Sequence, residues 1–276
     1  MSNFQERALE YKSDPRPTAE LLVLALSKDM DADNEDFWLP IRILQHRLPT
    51  EFPKIQELSC STSPKDREVA ATILGQNSVR EKFDVQGCQS VLNQMLSQPD
   101  VISPSLESIL FALGNLKASG YIDMILPFES HSNSDVRYAA THSLIGSDEE
   151  SAISALIRLS GDTDFDVRNW ATFGLGSRTE LDSERIRAAL VDRLAEIDEE
   201  IRGEALVGLV ARYDVRAISP LRRDLDQWKR FPLVKECAET LSENKATFGP
   251  EWHSVFEDLE RIGFNKWLGR SDKFKE

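Results

Sequence analysis

Cysteine is scarce and badly placed for covalent or metal work: Cys60, Cys88 and Cys237 lie far apart and form no CxxC pair. That excludes a disulfide framework and a zinc knuckle and points to a reducing compartment. His46, His131, His142 and His253 are scattered, without HExxH or a cysteine companion, so neither a metal nor another cofactor is expected. The nucleophile elbow GxSxG, the P-loop and a GxGxxG opening a helix are missing, which leaves hydrolase, nucleotide and dinucleotide chemistry unsupported. Period-2 runs of Val, Ile and Thr are absent, so almost no strand is expected. The apolar run Leu21 to Leu26 is far too short to span a bilayer, and residues 1–17 lack the apolar stretch of a signal peptide. The expectation is a soluble, cytoplasmic chain with no membrane partner. Positive charge is in deficit, with 33 Lys and Arg against 47 Asp and Glu and a net of −14, which disfavours a generally basic nucleic-acid binder. What remains is ample apolar material: 276 residues at 41% hydrophobic content, enough for one large domain or two ordinary ones.

That material is periodic. The segments Asp135-Val-Arg-Tyr-Ala-Ala-Thr-His-Ser-Leu144, Asp166-Val-Arg-Asn-Trp-Ala-Thr-Phe-Gly-Leu175 and Glu200-Ile-Arg-Gly-Glu-Ala-Leu-Val-Gly-Leu209 share acid, β-branched residue, Arg, Ala and Leu at fixed places. Weaker copies begin at Ser105 and Leu233, and a degenerate one runs from Asp66 to Gly75. Counted from the β-branched residue, the positions of Val167, Trp170, Ala171, Gly174 and Leu175 form one stripe of a helix. Small residues recur in that stripe at Ala140, Ala171, Ala205 and Ala238, and at Ser143, Gly174 and Gly208, where a neighbouring helix can come close. Ser103, Asn133, Asp164 and Asp198 stand where an N-cap belongs. A second amphipathic segment precedes each copy, such as Ile153, Leu156 and Ile157, or Ile186, Leu190, Leu194 and Ile197. Each copy is therefore a helical hairpin, and stacked neighbours share a core that one hairpin cannot build alone.

The segment Asp164-Phe-Asp-Val-Arg-Asn-Trp-Ala-Thr-Phe-Gly-Leu-Gly176 and its companions resemble HEAT repeats of the short bacterial, PBS-lyase type over roughly residues 60–245. The resemblance implies an all-α, right-handed α-α superhelix, a HEAT/armadillo-like solenoid. Residues 166–176 and 199–209 further resemble the YibA-type bacterial HEAT proteins. That group is associated with Rhs-type polymorphic toxin systems, in which such proteins act as immunity factors. Residues 1–60 keep helical stripes without the repeat signature and read as N-terminal capping helices, residues 61–245 as the array, and residues 246–276 as a C-terminal cap. In that cap Pro250 opens a helix whose stripe is Trp252, Val255, Phe256, Leu259 and Ile262, followed by Phe264 and Trp267.

The arginines after the β-branched residue invite two readings, an anion-binding row or a stacking ladder. The ladder is favoured, with Arg137, Arg168 and Arg202 facing Asp135, Asp166 or Glu200 of adjacent copies. Asp29, Asp31 and Asp33 start like a calcium loop, but Asn34 replaces the required Gly and Pro40 the required Glu. A local basic island, Arg212, Arg216, Arg222, Arg223, Lys229, Arg230 and Lys235, offers nucleic-acid binding in an otherwise acidic chain.

The residues of the second helices opposite the packing stripe are Tyr138 and His142, Asn169 and Phe173, Gly203 and Val207. In a solenoid they line the concave side and make the candidate partner surface. The leading functional reading is a non-enzymatic scaffold that holds another protein there. Under the YibA-type resemblance the partner is a toxin domain, and the acidic field favours a basic one. The alternative is a bilin-lyase-like accessory or enzyme using His142; nucleic-acid binding through the island is third. No small-molecule ligand is evident.

Overall fold

The computed structural model describes residues 3–28, 35–77, 79–98, 102–264, 266 and 268, and every regular element among them is helical. The chain forms two compact units, 1–144 and 145–276. The first holds α1 (Asn3–Ser13), α2 (Thr18–Leu26), α3 (Glu35–Ser59), α4 (Pro64–Leu74), α5 (Val85–Leu96), α6 (Ser103–Leu116), α7 (Tyr121–Ile125) and α8 (Ser134–Leu144). The second holds α9 (Glu150–Leu159), α10 (Phe165–Ser177), α11 (Glu184–Arg193), α12 (Glu199–Ala211), α13 (Ile218–Asp224), α14 (Pro232–Glu243) and α15 (His253–Arg261). The first three residues of the calcium-like run, with Asn34, and also Trp267, lie outside the described residues.

In the first unit the second helices α4, α6 and α8 pack in sequence, with α5 and α7 behind them. In the second unit α10, α12 and α14 do the same, backed by α9, α11 and the 3-10 turn Leu225–Gln227 that follows α13. The stripe is where the pattern puts it: Val136, Ala140 and Leu144, then Val167, Ala171 and Leu175, then Ile201, Ala205 and Leu209 are all fully buried. Each such side chain moves apolar surface out of water, by the usual ~1.5–3 kcal/mol for a full-sized aliphatic group. Trp170 departs from the stripe. It is only half-buried and meets Phe173 edge-on at 5.6 Å between centroids.

The starts of these helices follow from short oxygen-bearing side chains. Asp164 accepts the N–H groups of Asp166 and Val167 at 3.0 and 3.2 Å, and Asp198 those of Glu200 and Ile201 at 2.9 and 3.1 Å. Asn133 accepts from the Asp135 N–H at 2.8 Å. Each satisfies donors that a first helical turn leaves orphaned. Ser103 does not act this way. It lies inside the first turn of α6, where its hydroxyl donates to Glu107 and accepts from the Asn133 amide; Ile102 precedes the helix and Pro104 occupies its opening.

The stretch at Asp66 carries the buried stripe in a register one residue earlier than an acid-first alignment gives. Ser63 caps α4, Ala70 and Leu74 fill the stripe fully buried, and Asp66 stands where the β-branched residue belongs. Ile197 also departs from expectation. Helix α11 ends at Arg193, so Ile197 leaves its stripe and is 96% exposed in the turn before α12.

Close helix approach rests on small residues. A Cβ on Gly208 would lie 2.6 Å from the Gly176 Cα, which brings α10 and α12 into backbone contact, and one on Gly114 would lie 2.6 Å from Ser143 Cβ between α6 and α8. Gly174 instead accommodates Ile145 and Leu156. At the end of the second unit Trp252, Val255, Leu259 and Phe264 are fully buried, with α15 against α13 and α14.

Candidate functional site

The arginine of each repeat first serves its own turn. Arg67, Arg137, Arg168 and Arg202 donate to the carbonyls of Ser61, His131, Asp162 and Glu196 at 3.2, 2.9, 2.8 and 2.9 Å, always six residues back. The guanidinium fork then reaches a carboxylate of the following hairpin: Arg168 pairs with Glu196 at 3.2 Å and Arg202 with Asp224 at 3.0 Å. These are not the acids that the ladder reading named. Asp135, Asp166 and Glu200 sit in the first turn of their own helices, exposed, where the positive end of the helix dipole favours them.

The candidate partner surface is brought together unit by unit. In the first, Tyr138 and His142 of α8 both stack edge-on against Phe111 of α6, at 6.0 and 5.3 Å, and all three are half-buried. Burial, with Lys117 nearby, holds the His142 imidazole below its ordinary range. In the second, Asn169 and Phe173 of α10 are half-buried, the Arg178 guanidinium lies 5.8 Å from the Phe173 ring, and Asn169 Oδ1 is enclosed without a hydrogen bond. Val207 does not belong to this surface. It is 9% exposed, because Gly203 on the same stripe of α12 admits Leu233 of α14, whose Cδ1 lies 2.7 Å from where a glycine Cβ would be.

The basic island is mostly spent internally. Arg212 is 7% exposed and donates to the carbonyls of Leu175, Gly176, Thr179, Leu181 and Gly208, closing the end of α10. Arg216 pairs with Asp214 and Glu184, Arg222 with Asp258, Arg223 with Asp224, and Lys235 with Glu239. Lys229 and Arg230 rest near the rings of Trp228 and Phe231. Among the described residues no group of three or more His, Cys, Asp or Glu could hold a metal ion, and no helix is long and apolar enough to cross a membrane.

One feature escaped the sequence reading. A cavity of about 420 Å³ opens between the beginnings of α12 and α14, walled by Leu206, Phe231, Pro232, Leu233 and Val234 and edged by Glu199, Glu200 and Arg202. Glu204 lines it at 8% exposure, and its only side-chain hydrogen bond among the described residues is the one accepted by Oε2 from the Ser177 hydroxyl at 2.6 Å. The signal was present: in the packing stripe Glu204 stands where the other copies carry Ala139, Trp170 and Cys237.

Residues 106–176 match the model of HEAT repeats. Protein YibA of Escherichia coli strain K12 and Protein YibA of Escherichia coli O157:H7 are each 28% identical to this chain over 184 residues, 64% of this chain and 64% of theirs. The aligned stretch thus spans slightly less than two thirds of these curated relatives. The X-ray structure of Escherichia coli YibA superposes with a TM-score of 0.66 at 23% identity, covering 95% of this chain and 98% of that one. An engineered protein superposes with a TM-score of 0.55 at 18% identity, covering 91% and 74%. At such identities the structural likenesses speak for the fold, an all-α superhelix of the HEAT kind. Repeat match, sequence likeness and fold agree: residues 106–176 match HEAT repeats, and the chain is similar in sequence and fold to bacterial YibA.

Proposed function

We propose that this protein is a non-enzymatic scaffold that holds a protein partner on the faces of its second helices, within a repeat array spanning residues 61–245. The observation that carries the reading is the set of half-buried aromatic groups on those faces. Tyr138 and His142 are braced by Phe111, and Phe173 is braced by Trp170 and Arg178. Rigid aromatic side chains with one side still open are the composition of an interface centre. Asn169 Oδ1, enclosed and unsatisfied, adds a polar acceptor that a partner donor would repay. HEAT repeats characteristically bind proteins.

The partner we infer is a basic protein domain, and the physiological role that of an immunity protein neutralising a toxin. The net charge of −14 supports the sign, and the likeness to YibA supports the class. The partner's cations would be steered by the field before any contact forms. Nucleic-acid binding has little left to use, since Arg212, Arg216, Arg222 and Arg223 already serve carbonyls or carboxylates of the chain itself.

The test is an affinity pulldown from the native host with the wild type and with Phe173→Ala and Tyr138→Ala. Losing a central aromatic anchor costs roughly 2 kcal/mol or more, about thirtyfold in affinity, so each variant should recover markedly less of the partner. Recovery equal to wild type would remove both residues from the interface. Co-expression with a neighbouring toxin gene then asks whether growth is rescued, and no rescue would end the immunity role while leaving the scaffold reading intact.

A further inference from the structure

The cavity between α12 and α14 carries a chemical inconsistency. Its walls are apolar, yet Glu204 is enclosed among them, and among the described residues no cation pairs with it. Burying a carboxylate without a counter-charge is expensive. The arginine that lines the cavity cannot relieve it. Arg202 is committed to Asp224 and to the carbonyls of Glu196, Ile197 and Asp198. Glu199 and Glu200 stand exposed at the rim, and Glu236, whose charge acts on Glu204, lies on α14. Among the described residues that line the cavity, the charges without a salt-bridge partner are therefore Glu199, Glu200 and Glu204, all negative.

We propose that this cavity receives a lysine side chain from a basic segment of a partner protein. The aliphatic stem would run along Leu206, Phe231, Leu233 and Val234, and the ammonium would meet Glu204. The choice of lysine follows from the carboxylate. Ser177 already donates to Oε2, so Oε1 is the oxygen with no hydrogen bond among the described residues; a point-charge ammonium needs one such acceptor, whereas the arginine fork is matched to two free ones. A long methylene stem suits walls that are apolar up to a charged end, and acidic residues at the rim would draw the cation in. Burial, with Glu236 and Glu200 adding to it, pushes the Glu204 carboxyl up, and a cation bound beside it would bring it back down. The proposal rests on the scaffold reading for its biology but uses a site separate from Tyr138 and Phe173.

The probe is pentylammonium, a lysine side chain without its peptide, titrated into the full chain and followed by NMR. The readouts are the Glu204 carboxyl carbon and the methyl groups of Leu206, Leu233 and Val234. Saturable shifts with a Kd on the order of 1–50 mM are expected for so small a ligand. Pentanol, which has the same stem without charge, and pentylguanidinium should each bind at least about fivefold more weakly. Glu204→Gln keeps the shape and the Ser177 contact and should weaken pentylammonium about tenfold or more, while Glu243→Gln, an exposed acid at the far end of α14, should leave it unchanged. No saturable shift, or pentanol matching pentylammonium, overturns the proposal on the wild type alone, whatever the variants do. Pentylguanidinium binding as tightly overturns the preference for lysine. None of these outcomes touches the pulldown through Phe173 and Tyr138, so the two readings fail separately.

Discussion

A single guanidinium here does two tasks, and the energetics differ by burial. Arg202 satisfies three carbonyls of the turn before α12 and holds Asp224, itself 7% exposed. Arg202→Ala leaves those acceptors and a buried carboxylate short of donors and should cost about 2–4 kcal/mol in urea unfolding. Arg222→Ala breaks an open pair with Asp258 and should cost about 0–1 kcal/mol; equal losses would remove the turn-closing role. The pH dependence has opposite signs at two carboxylates. The Arg216 side chain, bonded to Asp214, holds that carboxyl down to about 2. The stability it brings is full above the unfolded value of 3.8 and is lost as pH falls toward 2. Glu204 is raised, so the folded state prefers the proton and stability falls as pH rises through and above 4.5. Glu204→Gln should therefore raise the Tm at pH 7 and give no gain below pH 4.5, checked by calorimetry at both values. At this scale the caps Asp164 and Asp198 were legible because an N-cap acts on its own next residues. The partners of Arg168 and Arg202 were not, because Glu196 and Asp224 come from the neighbouring hairpin and lie outside the repeated motif.

Helices of this chain meet at the distance their smallest residues permit. The α10–α12 contact is made at Gly176 and Gly208, where a methyl on Gly176 would come within 2.5 Å of the Glu204 carbonyl oxygen and one on Gly208 within 2.6 Å of a backbone carbon. A backbone obstacle cannot rotate away, so Gly176→Ala and Gly208→Ala should each push the helices apart and cost about 1–3 kcal/mol. Gly161→Ala is the control. Its nearest neighbour is 3.5 Å away and the site is exposed, so the change should be neutral to slightly stabilising, by at most about 1 kcal/mol. Unfolding in denaturant separates the cases, and tolerance at Gly208 would show that the two helices are not held at their contact minimum. The stripe and the recurring small residues made these helices legible before any coordinate, since a 3.6-residue period is a property of the chain alone. Boundaries were less so. Ile197 looks like another step of the α11 stripe, but that helix ends first, and whether a helix continues depends on what covers its next turn. Val207 failed for a related reason: Gly203 lets α14 close over that side of α12, a consequence of one absent side chain that a helical wheel does not register.

For the molecule as a whole, the repeat made the fold class legible, because any chain of such hairpins must stack to bury both stripes. It could not make the partner legible, since solenoid repeats carry many unrelated tasks. What the whole chain does dictate is an electrostatic field, with 47 acids against 33 bases, and a field has a kinetic signature that contacts lack. Steering acts before docking, through solvent, and is screened within about 8–10 Å at physiological salt. A basic partner should then associate more slowly as salt rises, with kon dropping by about 10–100-fold from low to high ionic strength. The dissociation rate should move little by comparison, because half-buried aromatic contacts such as those of Phe173 are indifferent to salt. Stopped-flow association of the captured partner across a salt series distinguishes the two contributions. A kon independent of salt would mean that the acidity of this chain plays no part in finding its partner, and the inference of a basic partner would go with it.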